Sequence, residues 1–153
     1  NYLYPDTPRN SSTYSYNPDI NGNFLVTAVD AQDVDIEADY VVVHFYLNID
    51  KLDNNKSIYV SGNFNGYQLS DTNKMSYNSF KNSYEAKLKL KQGFYNYKYS
   101  VLDGNSMLES GFISGNFDET ENNYKVIVYY RDFGSRYDRV IGFNQINSVN
   151  INN

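Results

Sequence analysis

From Ser83 to Leu90 the sequence alternates with a period of two: Tyr84, Ala86, Leu88 and Leu90 are apolar, while Glu85, Lys87 and Lys89 are charged. An extended chain puts residues i, i+2 and i+4 on one face, so this run is a strand with one face in a core and the other in water. The stretch Val60-Ser61-Gly62-Asn63-Phe64-Asn65-Gly66-Tyr67-Gln68 follows an apolar run with a cluster of glycine and asparagine, the residues that turn a chain sharply, and ends on an aromatic placed to cover an open sheet edge. Together they set the class as all-β.

The rest of the chain reads the same way. A short strand is predicted over 24–29. A long one is predicted over 40–49, where Val41-Val42-Val43-His44-Phe45-Tyr46-Leu47 is nearly continuous in apolar character and implies a central strand buried on both faces. Asp53-Asn54-Asn55-Lys56 supplies hairpin turn chemistry between it and the next strand, 57–63. A further pair is expected over 74–77 and 83–90. Gly93 then turns the chain into 94–102, with Tyr95, Tyr97, Tyr99 and Val101 on one face and Phe94, Asn96, Lys98 and Ser100 on the other, closed by Asp103-Gly104. A strong strand over 124–131 has Val126, Val128 and Tyr130 on one side, and a weaker one covers 137–143. Seventeen tyrosines and nine phenylalanines without a tryptophan fit strand faces filled by aromatic and β-branched side chains. Short strands at this spacing, separated by turn signals, make an antiparallel β-sandwich. At 153 residues one core suffices: residues 24–153 form the sandwich, and 1–23, rich in Asn, Ser, Tyr and Pro, form a linker or surface arm that Tyr2, Tyr4, Tyr14 and Tyr16 can anchor.

Composition removes several function classes. There is no cysteine and one histidine, so disulfides, thiolate chemistry and zinc sites of the usual kinds are out of reach, and no cofactor is expected. A net charge of −5 with scattered lysines argues against a nucleic-acid partner, which needs a concentrated basic surface. No apolar run approaches the roughly 20 residues that span a bilayer as a helix. The chain opens on Asn1, as expected of a fragment or a processed mature domain.

Few residues offer chemistry. Asp30, Asp33, Asp35, Glu37 and Asp39 are oxygen ligands of the kind calcium takes, but their spacing is not that of an EF-hand loop, and a solvated acidic connection is the reading adopted. His44 lies in an apolar strand without a partner carboxylate in sight, and Asp118, Glu119 and Glu121 have no second acid at a predictable distance. No nucleophile elbow, phosphate loop or metal signature occurs, so no catalytic residue and no metal ligand is assigned and the chain is read as non-enzymatic. Arg131, Arg136 and Arg139, interleaved with Asp132, Tyr137 and Asp138, either brace a turn around Gly134 through ion pairs or form a docking patch for a protein partner. Tyr67 either plugs the sandwich edge or offers a ring on which a sugar stacks, with Asn96 and Lys98 as polar neighbours.

Two resemblances sharpen these readings. Residues 40–131 resemble the early-set immunoglobulin-like sandwich of family 48 carbohydrate-binding modules, including the glycogen-binding module of AMP-activated kinase β subunits. The likeness rests on the segment from Tyr59 to Tyr67, on residues 90–93, and on Tyr97-Lys98-Tyr99 leading to Asp103-Gly104. It implies a sugar-stacking aromatic at Tyr67, where the family has tryptophan, and a sugar-contacting lysine at Lys98. The family's second tryptophan is replaced by Asn105 and Ser106. The alternative function is therefore an α-glucan-binding module.

Nearly the whole chain also resembles the C-terminal part of the type IX secretion system plug protein family of Bacteroidota. The matching segments are Tyr16-Asn17-Pro18-Asp19-Ile20-Asn21-Gly22, Glu37-Ala38-Asp39-Tyr40, Val43-His44-Phe45, and Lys91-Gln92-Gly93-Phe94-Tyr95-Asn96-Tyr97. They continue through Gly115-Asn116-Phe117, Thr120-Glu121-Asn122, Val128-Tyr129-Tyr130-Arg131 and Arg136-Tyr137-Asp138-Arg139-Val140-Ile141-Gly142. This resemblance implies a secreted, periplasmic or outer-membrane-associated protein that closes the periplasmic mouth of an outer-membrane translocon. The leading expectation is thus a periplasmic protein-interaction domain whose partner is that translocon.

Overall fold

The computed structural model describes residues 1–15, 19–104, 108, 109 and 111–148; Tyr16, Asn17, Pro18, Asn105 and Ser106 lie outside the described residues. The fold is all-β and antiparallel, an immunoglobulin-like sandwich with an N-terminal arm. The chain separates into two compact units, Asn1–Asn116 and Phe117–Asn153.

The first unit holds two three-stranded sheets. In one, β5 (Ser83–Lys91) lies between β2 (Tyr40–Leu47) and β4 (Ser76–Asn78); in the other, β7 (Lys98–Leu102) lies between β3 (Ser57–Ser61) and β8 (Leu108–Glu109). A smaller pair joins β1 (Phe24–Val26) to β6 (Gly93–Tyr95). The inward residues of both sheets close one core: Phe45 and Leu47 of β2, Tyr84, Ala86 and Leu88 of β5, Ile58 and Val60 of β3, and Tyr99 and Val101 of β7, with Met75 and Ile113 from connections. The alternation of β5 is what places these side chains, since its lysines face outward while its apolar set meets the opposing sheet.

Residues 73–78 carry the chain from one sheet to the other. Asn73 and Met75 bond to β3 (Val60 N–H to the Asn73 carbonyl, 2.9 Å; Met75 N–H to the Ile58 carbonyl, 2.8 Å), and the next three residues pair with β5. The Asn73 side chain is buried and satisfied: its amide donates to the Val60 and Gln68 carbonyls at 2.8 Å each, and its oxygen accepts from the Ser70 backbone and hydroxyl at 2.9 Å each. A buried amide costs little only when bonded in this way.

Three expectations need correction. The 40–47 strand is not buried on both faces: Val41, Val43, Phe45 and Leu47 turn inward, while Tyr40 and Val42 are exposed and His44 and Tyr46 half-buried. Two rings of its outer face have partners. Lysines of β5 lie over one, with Lys89 Nζ 5.1 Å and Lys91 Nζ 5.7 Å from the Tyr40 ring centre, and Tyr2 stacks on the other, that of His44. Nor is β2 joined to β3 as a hairpin. The turn forms, with Lys56 N–H on the Asp53 carbonyl at 2.9 Å, but β2 pairs with β5 and β3 with β7, so this turn crosses between sheets. The expected 94–102 strand breaks at Asn96 and Tyr97, where the chain leaves the β1–β6 pair for the sheet of β3.

The arm is part of the first unit. Residues 1–6 run parallel to β2 along the edge that β5 leaves open, bridging at Tyr2 with His44 and at Asp6 with Leu47. Covering an edge in this way removes a template for unwanted strand pairing. The acidic connection forms α1 (Val34–Glu37), with Asp33 Oδ1 accepting from Asp35 N–H at 3.1 Å and Glu37 Oε1 from Asp33 N–H at 2.8 Å. These carboxylates thus cap backbone donors.

The second unit is a hairpin of β9 (Asn123–Tyr130) and β10 (Arg139–Asn147), with a bulge between Val140 and Gly142.

Candidate functional site

The turn over residues 62–68 is built by its own side chains. Asn65 Oδ1 accepts from Gly62 N–H at 3.1 Å, Asn65 Nδ2 donates to the Val60 carbonyl at 3.2 Å, and Gly66 takes the left-handed conformation that ends the 3-10 turn. Gly62 is required by closeness: a Cβ there would sit 2.6 Å from the Phe64 ring and 2.7 Å from the Asn96 carbonyl oxygen. The turn brings Tyr67 beside Lys98, whose Nζ lies 5.3 Å from the ring centre.

All three proposed sugar-binding residues therefore come together, but around protein rather than around an open platform. Asn96 Oδ1 accepts from Ile20 N–H (3.2 Å) and Gly22 N–H (3.0 Å), Asn96 N–H donates to the Asn23 carbonyl (3.0 Å), and the Tyr67 hydroxyl donates to the Gly22 carbonyl (3.3 Å). Asn63 Nδ2 adds a bond to Asn23 Oδ1 at 2.5 Å. Tyr67, Asn96 and Asn63 clamp the end of the arm onto the sandwich. The Lys98 ammonium competes with any sugar for the Tyr67 ring, which is 47% exposed.

The arginine cluster sits at the tip of the second unit's hairpin. Arg131 and Asp138 form a two-point pair, Nε to Oδ1 at 2.7 Å and Nη2 to Oδ2 at 3.0 Å, and Arg139 Nη2 meets Asp132 Oδ2 at 2.6 Å. The pairing raises the Arg131 pKa further. Both pairs straddle the loop that Gly134 turns through its positive φ, so the bracing role is the one the geometry supplies. Phe133 at this tip is fully exposed, and Arg136 and Tyr137 are exposed beside it.

The hairpin behind the tip is apolar on both faces. By register, Tyr124, Val126, Val128 and Tyr130 share one face with Ile146, and Ile127 and Tyr129 share the other with Val140 and Phe143. All nine are exposed. Sequence reasoning named only the Val126 face; the continuous run from Val126 to Tyr130 was the signal for the second.

One further cluster had no local signal. Asp6 Oδ2 accepts from the Tyr97 hydroxyl at 2.8 Å and the Tyr99 hydroxyl at 2.6 Å, partners 91 and 93 residues away. Burial pushes both phenols well above the ordinary tyrosine range, and the bonds to Asp6 reinforce the shift by favouring the protonated form. His44 stacks on Tyr2 with ring centres 4.3 Å apart. Among the described residues, no group of three or more His, Asp or Glu is arranged to hold a metal ion, and no helix is long and apolar enough to cross a membrane.

A crystal structure of a hypothetical protein from Parabacteroides merdae ATCC 43184 is similar to this chain, at 40% sequence identity and a TM-score of 0.75. The match covers 95% of this chain and 37% of that one, so the chain spans little more than a third of the length of that solved relative. No protein-family model matches the chain, and no curated protein matches it.

Proposed function

We propose that this chain is a non-enzymatic protein-docking domain and that the β9–β10 hairpin is its docking surface. One observation carries the reading: a two-stranded ribbon with exposed apolar and aromatic side chains on both faces. An apolar surface of this extent on a two-stranded ribbon marks an interaction site. Tyrosine and phenylalanine flanked by arginine are the side chains that anchor protein interfaces.

The resemblance to the type IX secretion plug family gives the partner its class. We take the partner to be an outer-membrane translocon and the location to be the periplasm. The test is retention of detergent-solubilised outer-membrane proteins on the immobilised chain, compared with a Tyr129→Ser, Phe143→Ser double variant. The reading expects a β-barrel protein held by the wild type and lost from the variant. Equal retention by both, or none by either, sinks it.

The α-glucan reading has less support, because Asn96 and the Tyr67 hydroxyl are committed to the arm. Calorimetry against soluble α-glucans discriminates: saturable binding abolished by Tyr67→Ala would install it in place of protein docking.

A further inference from the structure

We propose that the edge of β2 between Val42 and Asn48 is an acceptor site for an extended peptide strand, held in this structure by the chain's own residues 1–6. The peptide it takes carries an aromatic residue four positions before an acidic one. This site lies in the first unit and is independent of the hairpin.

The occupant displays the chemistry of the site. Five main-chain bonds position it: Asn1 N–H to the Val42 carbonyl (2.7 Å), His44 N–H to the Asn1 carbonyl (2.8 Å), Leu3 N–H to the His44 carbonyl (3.1 Å), Asp6 N–H to the Tyr46 carbonyl (2.8 Å) and Asn48 N–H to the Asp6 carbonyl (2.8 Å). Main-chain bonds of this kind supply affinity in strand addition, and side-chain pockets supply selectivity. Here Tyr2 is read by the His44 ring, Leu3 packs against the core, and the Asp6 carboxylate is read by the paired hydroxyls of Tyr97 and Tyr99. A pair of phenolic donors converging on one carboxylate oxygen selects an acidic residue, because each bond is charge-assisted.

The hold is also releasable. Strand β5 pairs with β2 at eight successive positions, whereas the arm bridges β2 only at Tyr2 and Asp6. Between these footholds Tyr4 and Pro5 are exposed, and Pro5 has no N–H to give. A segment with few buried side chains and few bonds opens at a cost below that of global unfolding. A competing strand from another protein can then enter.

The probe is a fluorescent peptide of sequence Asn-Tyr-Leu-Tyr-Pro-Asp-Thr-Pro-Arg, titrated by anisotropy into the full chain. In the wild type the tethered arm competes at high effective concentration. The Asp6→Ala chain is expected to bind the peptide at least about tenfold more tightly than the wild type does, and a peptide with alanine for its aspartate is expected to bind that variant at least about tenfold more weakly. Absence of binding to the folded variant, or equal binding of both peptides, overturns the proposal. Hydrogen exchange on the wild type gives a second reading that does not depend on the variant's folding. The amides of Leu3, His44 and Asn48 should exchange at least about tenfold faster than those of Ile58 and Val101 in the core strands. Equal rates would mean that the arm leaves only when the whole unit unfolds, and would overturn the proposal as well.

Discussion

Replacing Asp6 by alanine removes the one acceptor that two tyrosine hydroxyls share. Tyr99 is 8% exposed, so its hydroxyl cannot turn to water and keeps only the Tyr97 hydroxyl beside it, and losing the carboxylate costs about 1–3 kcal/mol. Tyr97 is half-buried and can recover part of its bond from solvent, so its share is about 0.5–1 kcal/mol. The expected loss is about 1.5–4 kcal/mol, a large fraction of the stability of a domain this size. Equilibrium urea denaturation followed by tyrosine fluorescence measures it as a lower midpoint with an unchanged slope. Asp6→Asn keeps a carbonyl oxygen and should lose about half as much. Tyr99→Phe in the Asp6→Ala background deletes the stranded hydroxyl, so the two changes should be less than additive by about 1 kcal/mol or more. A loss below about 0.5 kcal/mol for Asp6→Ala, or strict additivity in the cycle, would refute the claim that this carboxylate holds the arm through the two phenols.

The same phenols set an alkaline limit. Their folded pKa values lie above the unfolded value of about 10, so the folded state keeps protons that the unfolded state releases. Stability is full below about pH 10 and falls above it, by at most about 1.4 kcal/mol per pH unit for Tyr99 and by less for the half-buried Tyr97, which solvent screens; Tyr97→Phe and Tyr99→Phe should each flatten that limb in urea titrations between pH 9 and 11.5. Gly62→Ala forces a methyl group against the Phe64 ring and the Asn96 backbone oxygen and should cost about 1–3 kcal/mol by thermal melting, with a null effect contradicting the close approach. Asn73→Leu strips a buried four-bond hub from the segment that changes sheets and should cost about 2–4 kcal/mol in urea, and a loss under about 1 kcal/mol would show that the hub is dispensable.

How far the sequence could be read depends on the range of each interaction. The alternation of Tyr84, Ala86, Leu88 and Leu90 placed β5 and its inward face, because a period of two is a local property of the strand. The glycine and asparagine run from Gly62 to Gly66 marked a real turn for the same reason. The continuous apolar run of β2 misled, since a tyrosine under a lysine ammonium is as apolar in sequence as one in the core. The sheet change after β2 could not be told from a hairpin, because Asp53 to Lys56 supplies the same turn to either. Strand β8 carries too short a pattern to register, being two residues long. For the candidate sites, the arginine and aspartate spacing from Arg131 to Arg139 made the cross-loop pairs foreseeable. The Asp6 anchor was not, because Asp6 stands between prolines in a segment without periodicity and its partners lie on a distant strand.

The central claim, that the β9–β10 hairpin is the surface that meets a protein partner, is tested most directly by site-specific photo-crosslinking in a native envelope. A benzophenone side chain is placed at Tyr129 in one variant and at Tyr67 in another. The account predicts a discrete adduct with an outer-membrane protein from position 129 and none from position 67. An adduct from position 67 alone, or none from several positions along the hairpin, would contradict it.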